Sequence, residues 1–271
     1  MTDSAANEPV DLFDTTYANF RQRVHEQIRR DTFGEDIVQN SWLVADEARE
    51  LFEWMRLDPT STVLEVAVGS GGPALFMART TGAGVVGIDV NEHGITAANE
   101  MARAQGLELR VRFRCADAGQ PLPFEDGSFD ALVCIDSVNH FPGRLAVLRE
   151  WHRVLRPGGR LVYTDAIVVT GLLTNEEIAA RSSIGYFLFG PVGENERLIR
   201  EAGFELLRAE DRTEAVAQVS GRWHDSRAAH RDDLLQIEGE DTFEGLQRFF
   251  AAVHALSSER RLSRYAFLAV R

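Results

Sequence analysis

Residues 63–78 read VLEVAVGSGGPALFMA. A short apolar run (Val63, Leu64, Val66) carries one carboxylate, Glu65, and gives way to Gly69, Gly71 and Gly72. Pro73 follows, and Ala74, Leu75, Met77 and Ala78 return at helical spacing. The pattern predicts strand, tight glycine turn and helix, with Pro73 in the first turn, where its missing N–H costs nothing. Glycines let a ligand approach the backbone, and the free N–H groups of a helix start favour an anion. The turn therefore reads as the floor of a nucleotide-type site.

Working outward, residues 85–89 (VVGID) form a second predicted strand that again closes on an acid, and residues 95–104 a helix that stops at Gly106. Residues 109–115 alternate as strand three, closing on Asp117. After a turn at 121–128, residues 129–135 are strand four, closing on Asp136. A helix over 145–155, a stop at 156–159 (RPGG) and strand five over 160–165 follow. Upstream, Leu12, Phe13, Tyr17, Phe20, Val24 and Ile28 predict a helix over 11–30; a loop at 33–42 (FGEDIVQNSW) and a helix over 46–55 lead to the central strand. Downstream, helices are expected over 176–189 and 195–202, a strand over 205–212, mostly helix from 213 to 261, and a last strand in RYAFLAVR.

Strands alternating with helices at this spacing give βαβ units: an α/β fold with a doubly wound, mostly parallel sheet. Ligands of such sheets bind beyond the carboxyl ends of the strands. Four acids gather there, Glu65, Asp89, Asp117 and Asp136, and such a rim is costly unless it meets a cationic or hydroxyl-rich ligand.

The chain has 42 acidic against 29 basic residues, a formal net charge of -13. That balance suits a solvated surface and excludes a polyphosphate backbone as partner, so no nucleic acid is expected. Cys115 and Cys134 lie in apolar runs and are expected as buried, reduced thiols. The polar, acidic start (MTDSAANEPVDLFD) is no signal peptide, and no apolar run approaches the roughly 20 residues of a spanning helix. No membrane association and a cytoplasmic location are the expectation, with residues 1–10 disordered.

From 63 to 165 the sequence resembles a class I S-adenosylmethionine-dependent methyltransferase. Glu65-Val66-Ala67-Val68-Gly69-Ser70-Gly71 is similar to the family's first motif, with Ala67 where a glycine usually sits. Asp89 stands at the place of the ribose-binding acid, Asp117-Ala118 resembles the adenine-side motif, and PLPFEDGSFDALVCIDSVNHF and LRPGGRLVYTD resemble the stretches entering strands four and five. More loosely, the chain resembles small-molecule methyltransferases of the sarcosine/dimethylglycine, ubiquinone-biosynthesis and sugar O-methylating type, to whose N-terminal loop FGEDIVQNSW is similar. The resemblance implies a Rossmann-like sheet of seven strands with an antiparallel last strand, an N-terminal helical cap over 1–57, a cofactor-binding core over 58–170 and a remainder over 171–271 with a helical insert. It implies methyl transfer to an oxygen or nitrogen of a small molecule, with specialised metabolism as the expected setting; a homodimer is the candidate assembly. A non-catalytic cofactor-binding protein and a C-methyltransferase are the alternatives.

The cofactor carries a sulfonium, an amino group, two ribose hydroxyls and an adenine. Asp89, with Val90 beside it, suits the two hydroxyls, Glu65 the amino group, and Asp117 with the Ala118 N–H the adenine. Ala67, Gly69 and Asp136 complete the expected cofactor site, with Tyr17 and Trp42 of the cap closing over its methionine end. His140, beyond strand four, is the candidate general base, and Asp165 the group that orients it or the substrate. Tyr186, Phe189 and His224 are candidate substrate contacts, with Phe187, Trp223 and His230 nearby. His224 and His230 lack helical metal-ligand spacing, so no metal is expected. A dinucleotide oxidoreductase also fits GxGxxG/A at 69–74. Glu65 would repel its pyrophosphate, and the acid after strand three would have no role.

Overall fold

A computed structural model describes residues 22–271. The cap begins with α1 (Arg23–Phe33) and α2 (Ala45–Met55). The core runs β1 (Thr62–Val66), α3 (Gly72–Thr81), β2 (Gly84–Asp89), α4 (Glu92–Ala104), β3 (Val111–Cys115) and β4 (Phe129–Cys134). It continues with α5 (Arg144–Val154), β5 (Leu155–Val169), α6 (Asn175–Arg181) and the two-residue β6 (Gly190–Pro191). Last come α7 (Glu194–Glu201), β7 (Glu205–Asp211), α8 (Thr213–Ala229), α9 (Arg231–Ser258) and β8 (Leu262–Val270). Non-helical Gly239 (φ 79°) breaks α9.

The strand order is β3-β2-β1-β4-β5-β8-β7, with β6 paired to β5. β1 pairs in parallel with both β2 and β4, while β8 is antiparallel to β5 and β7. The order reverses between β1 and β4, and this switch point opens a crevice at their carboxyl ends. After its first residue β1 is buried throughout, as a strand covered on both faces must be. Leu51, Phe52, Leu75 and Met77 pack on one face of the sheet; Leu148, Trp151, Leu198 and Ile199 pack on the other. A third cluster joins Phe33 and Trp42 to Val219, Phe249 and Phe250, so α8 and α9 close over the crevice together with the cap.

The glycine turn is built for packing as much as for a ligand. A Cβ on Gly72 would stand 2.3 Å from the carbonyl oxygens of Ile37 and Val38, so only glycine lets the 33–42 loop lie on the start of α3. A Cβ on Gly71 (φ 82°) would meet the Phe113 ring at 2.7 Å. Ser70 Oγ donates to the Val38 carbonyl at 3.2 Å and ties the loop down further.

Several expectations need correction. The helix expected over 176–189 ends at Arg181, because Ser182, Ser183 and Gly185 disfavour continuation and the chain turns back across the end of β4. There the Leu188 N–H donates to the Asn139 carbonyl at 2.9 Å. The RPGG stop belongs to β5, where the Gly158 N–H donates to the Arg271 carbonyl at 2.8 Å. Cys115 is exposed, since it ends the edge strand β3, whereas Cys134 is buried. Of the helix expected over 11–30, only the part from Arg23 lies among the described residues, and it extends to Phe33. No helix of the described residues is long and apolar enough to cross a membrane.

Candidate active site

Two hollows adjoin at the carboxyl edge of the sheet. The outer cleft lies at the ends of β2 and β3 and is lined by Asp89, Val90, Asn91, Asp117 and Ala118. The inner chamber lies beneath the cap and α9, lined by Trp42, Glu65, Asp136, Arg181, Phe187 and Phe249, among others. Ala67, Ser137 and His140 line both. Ala67 adopts a left-handed backbone (φ 56°), the turn that carries the chain from β1 between the two hollows.

Glu65 points inward from β1 and is 2% exposed. Its Oε2 has no hydrogen-bond partner, and burial pushes its pKa up to about 8. A buried, unpartnered carboxyl is costly and is relieved by a cationic group beside it. Asp89 ends β2 with Oδ2 accepting from the Gly69 N–H at 2.8 Å and Oδ1 from the Asn91 N–H at 2.9 Å. Each oxygen keeps a second lone pair, so the carboxylate is pre-oriented and can still accept two hydroxyls. Asp117 is steadied likewise by the Gly119 N–H at 2.8 Å. An orphaned acid in the chamber and two oriented acids along the cleft form the donor set that an amino group, a ribose and an adenine amine require. The residues therefore fit S-adenosylmethionine.

His140 sits where the hollows meet. Its Nδ1 lies 2.7 Å from the Tyr186 carbonyl, an acceptor only, so Nδ1 carries the proton and Nε2 is left basic. Burial lowers its pKa, with the Arg181 charge acting in the same direction, and the ring is neutral near pH 7.

The other expected site residues divide clearly. Trp42, Asp136, Val90 and Ala118 line one hollow or the other, while Gly69 acts through its N–H on Asp89. Asp165 lines neither: it is fully buried, accepting from Arg144 Nη1 and Asn195 Nδ2, each at 2.9 Å. It therefore makes no contact that orients His140. Tyr186 is 60% exposed and reaches His140 through its carbonyl alone, and Phe189 packs with Ile167, Leu256 and Leu262. His224 turns to Asp225, away from both hollows. Phe187 and Trp223 do line the chamber. Tyr17 lies outside the described residues.

Sequence reasoning missed Arg181, Arg227, Glu238 and Phe250, all lining the chamber. Arg227 Nη2 donates to Glu238 Oε1, with both side chains almost wholly buried. The only signal was an arginine within a helical stretch, Arg181 in one and Arg227 in the other, a residue that ordinarily marks a solvated face.

The methyltransferase-domain family profile matches residues 64–163. Methyltransferase GfsG of Streptomyces halstedii is 39% identical over 171 residues, covering 61% of this chain and 60% of that protein. The 27-O-demethylrifamycin SV methyltransferase of Amycolatopsis mediterranei is 37% identical over 189 residues, 68% of this chain and 67% of that protein. Among solved structures, the [4+2]-cyclase SpnF superposes with a TM-score of 0.76 at 25% identity, covering 96% of this chain and 94% of that one.

Proposed function

The chain belongs to the class I S-adenosylmethionine-dependent methyltransferases, and on that premise we propose that it moves a methyl group onto an oxygen or nitrogen of a small-molecule acceptor held in the inner chamber. The observation that carries this reading is Glu65, buried and unpartnered at the junction of chamber and glycine turn. S-adenosylmethionine, when bound, supplies a methyl group on a sulfonium, open to in-line displacement. Glu65 would meet its amino group, Asp89 its ribose hydroxyls, and Asp117 with the Ala118 N–H its adenine.

His140 takes the acceptor's proton on Nε2, in keeping with its lowered pKa and the Tyr186 carbonyl that fixes its tautomer. Trp42, Phe187 and Phe249 keep water from the acceptor and hold it in line. Asp165 is assigned a structural part. Oxygen is favoured as the methylated atom because the rifamycin relative is named for an O-demethylated substrate. In this reading residues 58–170 hold the cofactor, residues 22–57 of the cap and the helical segments of 171–271 supply the cover, and the strands of 171–271 complete the sheet. That a cyclase shares the fold means the fold alone does not set the reaction. A neutral, oriented histidine lining both hollows favours methyl transfer.

The test is calorimetry with S-adenosylhomocysteine, followed by its release from S-adenosylmethionine in the presence of a library of hydroxylated and aminated acceptors. Saturable binding and acceptor-dependent release are expected. Binding with release never above the acceptor-free rate would leave a non-catalytic cofactor-binding protein, and no binding would end the reading.

A further inference from the structure

The inner chamber holds a charge that methyl transfer leaves unused. Arg181, the last residue of α6, lines the chamber and is 2% exposed. Neither its Nε nor its Nη1 has a hydrogen-bond partner. Its guanidinium lies 4.6 Å from the Phe187 ring centroid and 5.1 Å from that of Phe249. Those faces favour a cation but accept none of its N–H bonds in the plane where they point.

Asp136, Glu238 and Asp165 are committed elsewhere, and Glu65, unpartnered in the same chamber, makes no ion pair with Arg181. Asp136 accepts from Arg264 Nε at 2.6 Å and from Thr164 Oγ1 at 2.7 Å, Glu238 is joined to Arg227, and Asp165 to Arg144. Asp136 and Asp165 act on Arg181 only through space. Among the described residues, then, no carboxylate bonds the guanidinium. A buried cation left in this state costs several kcal/mol, a cost that an anionic ligand would offset.

We propose that Arg181 docks a carboxylate of the methyl acceptor, so that the acceptor class is a carboxylate-bearing molecule with a broad apolar body. The proposal rests on the methyl-transfer reading above. Phe187 fixes the geometry: His140 packs against the same ring, centroid to centroid, at 4.7 Å. The candidate base and the guanidinium are thus no further apart than these two ring distances together. The carboxylate and the methylated atom therefore belong to one end of the acceptor, separated by a short spacer. The apolar body faces the aromatic wall, where Trp223 lies 6.0 Å from Trp42 and 4.8 Å from Phe250. A carboxylate could also come from the methionine end of the cofactor, and the test separates the two sources.

Acetate, benzoate and 4-phenylbutyrate, each against its amide, are titrated by calorimetry into the protein with S-adenosylhomocysteine bound. At least one carboxylate is expected to bind about tenfold or more tightly than its amide, and Arg181→Gln to remove that preference. Arg181→Lys should keep part of it, and S-adenosylhomocysteine affinity should stay within about twofold in both variants. Should Arg181→Gln fail to fold, Arg181→Lys carries the comparison, with weaker carboxylate binding than the wild type expected. The proposal is overturned if no carboxylate binds the wild type, if acid and amide bind alike, or if the variants bind carboxylates unchanged. It is equally overturned if the variants lose S-adenosylhomocysteine instead, which would assign Arg181 to the cofactor. If the wild type fails to bind S-adenosylhomocysteine at all, the methyl-transfer reading falls, and the same titrations on the ligand-free protein still decide whether Arg181 takes a carboxylate.

Discussion

Arg264 Nε donates to Asp136 Oδ1 across 2.6 Å, although 128 positions separate the two residues in the chain. The same guanidinium donates through Nη1 to Glu47 Oε1 at 2.6 Å, and Asp136 Oδ2 accepts the Trp42 N–H at 3.0 Å. One buried cation thus joins β8, α2 and the turn after β4, and through Asp136 it fixes the loop that sets Trp42 on the chamber. Asp136 itself holds a left-handed backbone (φ 50°), a conformation that persists only where its surroundings determine it.

Removing Arg264 leaves Asp136 and Glu47 buried without their counter-ion. Arg264→Met should therefore destabilise the protein by about 3–5 kcal/mol, the usual result of breaking a buried pair from one side. Urea denaturation measures it. A midpoint matching the wild type would mean that the two acids find other partners.

His140→Ala removes the proposed base and little else that would touch the cofactor. Turnover should drop by about 100-fold or more, while S-adenosylhomocysteine affinity changes less than about twofold. Because the folded-state pKa is lowered, the wild-type rate should climb with pH through a midpoint below the ordinary 6.5. Single-turnover rates across pH check both points, and an unchanged rate in the variant would remove His140 from the chemistry.

Gly72→Ala tests whether the glycine turn serves the cap. The added Cβ would fall 2.3 Å from two carbonyl oxygens, so the 33–42 loop must move away from α3. We expect a loss of about 1–3 kcal/mol, as in overpacked cores, together with a shift in Trp42 fluorescence. A variant as stable as the wild type, with unaltered emission, would show that the loop is not held there.

Much of this was legible in the sequence, and the division is physical. β1, the glycine turn and α3 announce themselves by local periodicity, and the strand-end acids Glu65, Asp89 and Asp117 follow from where a parallel sheet binds its ligand. Contacts that depend on distant segments do not announce themselves. Arg264 on Asp136 is one, and Phe250 of α9 against Trp223 of α8 is another. Arg181 was hidden for a different reason: the helix was expected to run on through Phe189. The chain leaves the helix at Arg181 instead, which puts Phe187 in the chamber and Tyr186 in solvent. Asp165 misled because a strand-end acid beside a histidine looks like an orienter, whereas Arg144 and Asn195 occupy it from α5 and α7.

Glu65 supplies the sharpest test, since burial raises its pKa from 4.5 to about 8. Between those limits the native state holds a proton that the unfolded chain has released. The stability it contributes is therefore fully present below pH 4.5 and is lost as pH rises toward about 8, by roughly 1 kcal/mol per pH unit. Glu65→Gln, a neutral replacement of the same shape, should flatten that slope. An ammonium group at Oε2 favours the ionised carboxylate, so binding S-adenosylhomocysteine below about pH 8 must expel the proton. Affinity should then strengthen by about tenfold per pH unit on approach to that value, and the calorimetric heat should depend on the ionisation enthalpy of the buffer. Both effects should vanish in Glu65→Gln. A wild-type affinity flat with pH, with heats independent of buffer, would place the amino group away from Glu65 and leave that carboxyl a buried acid without a ligand.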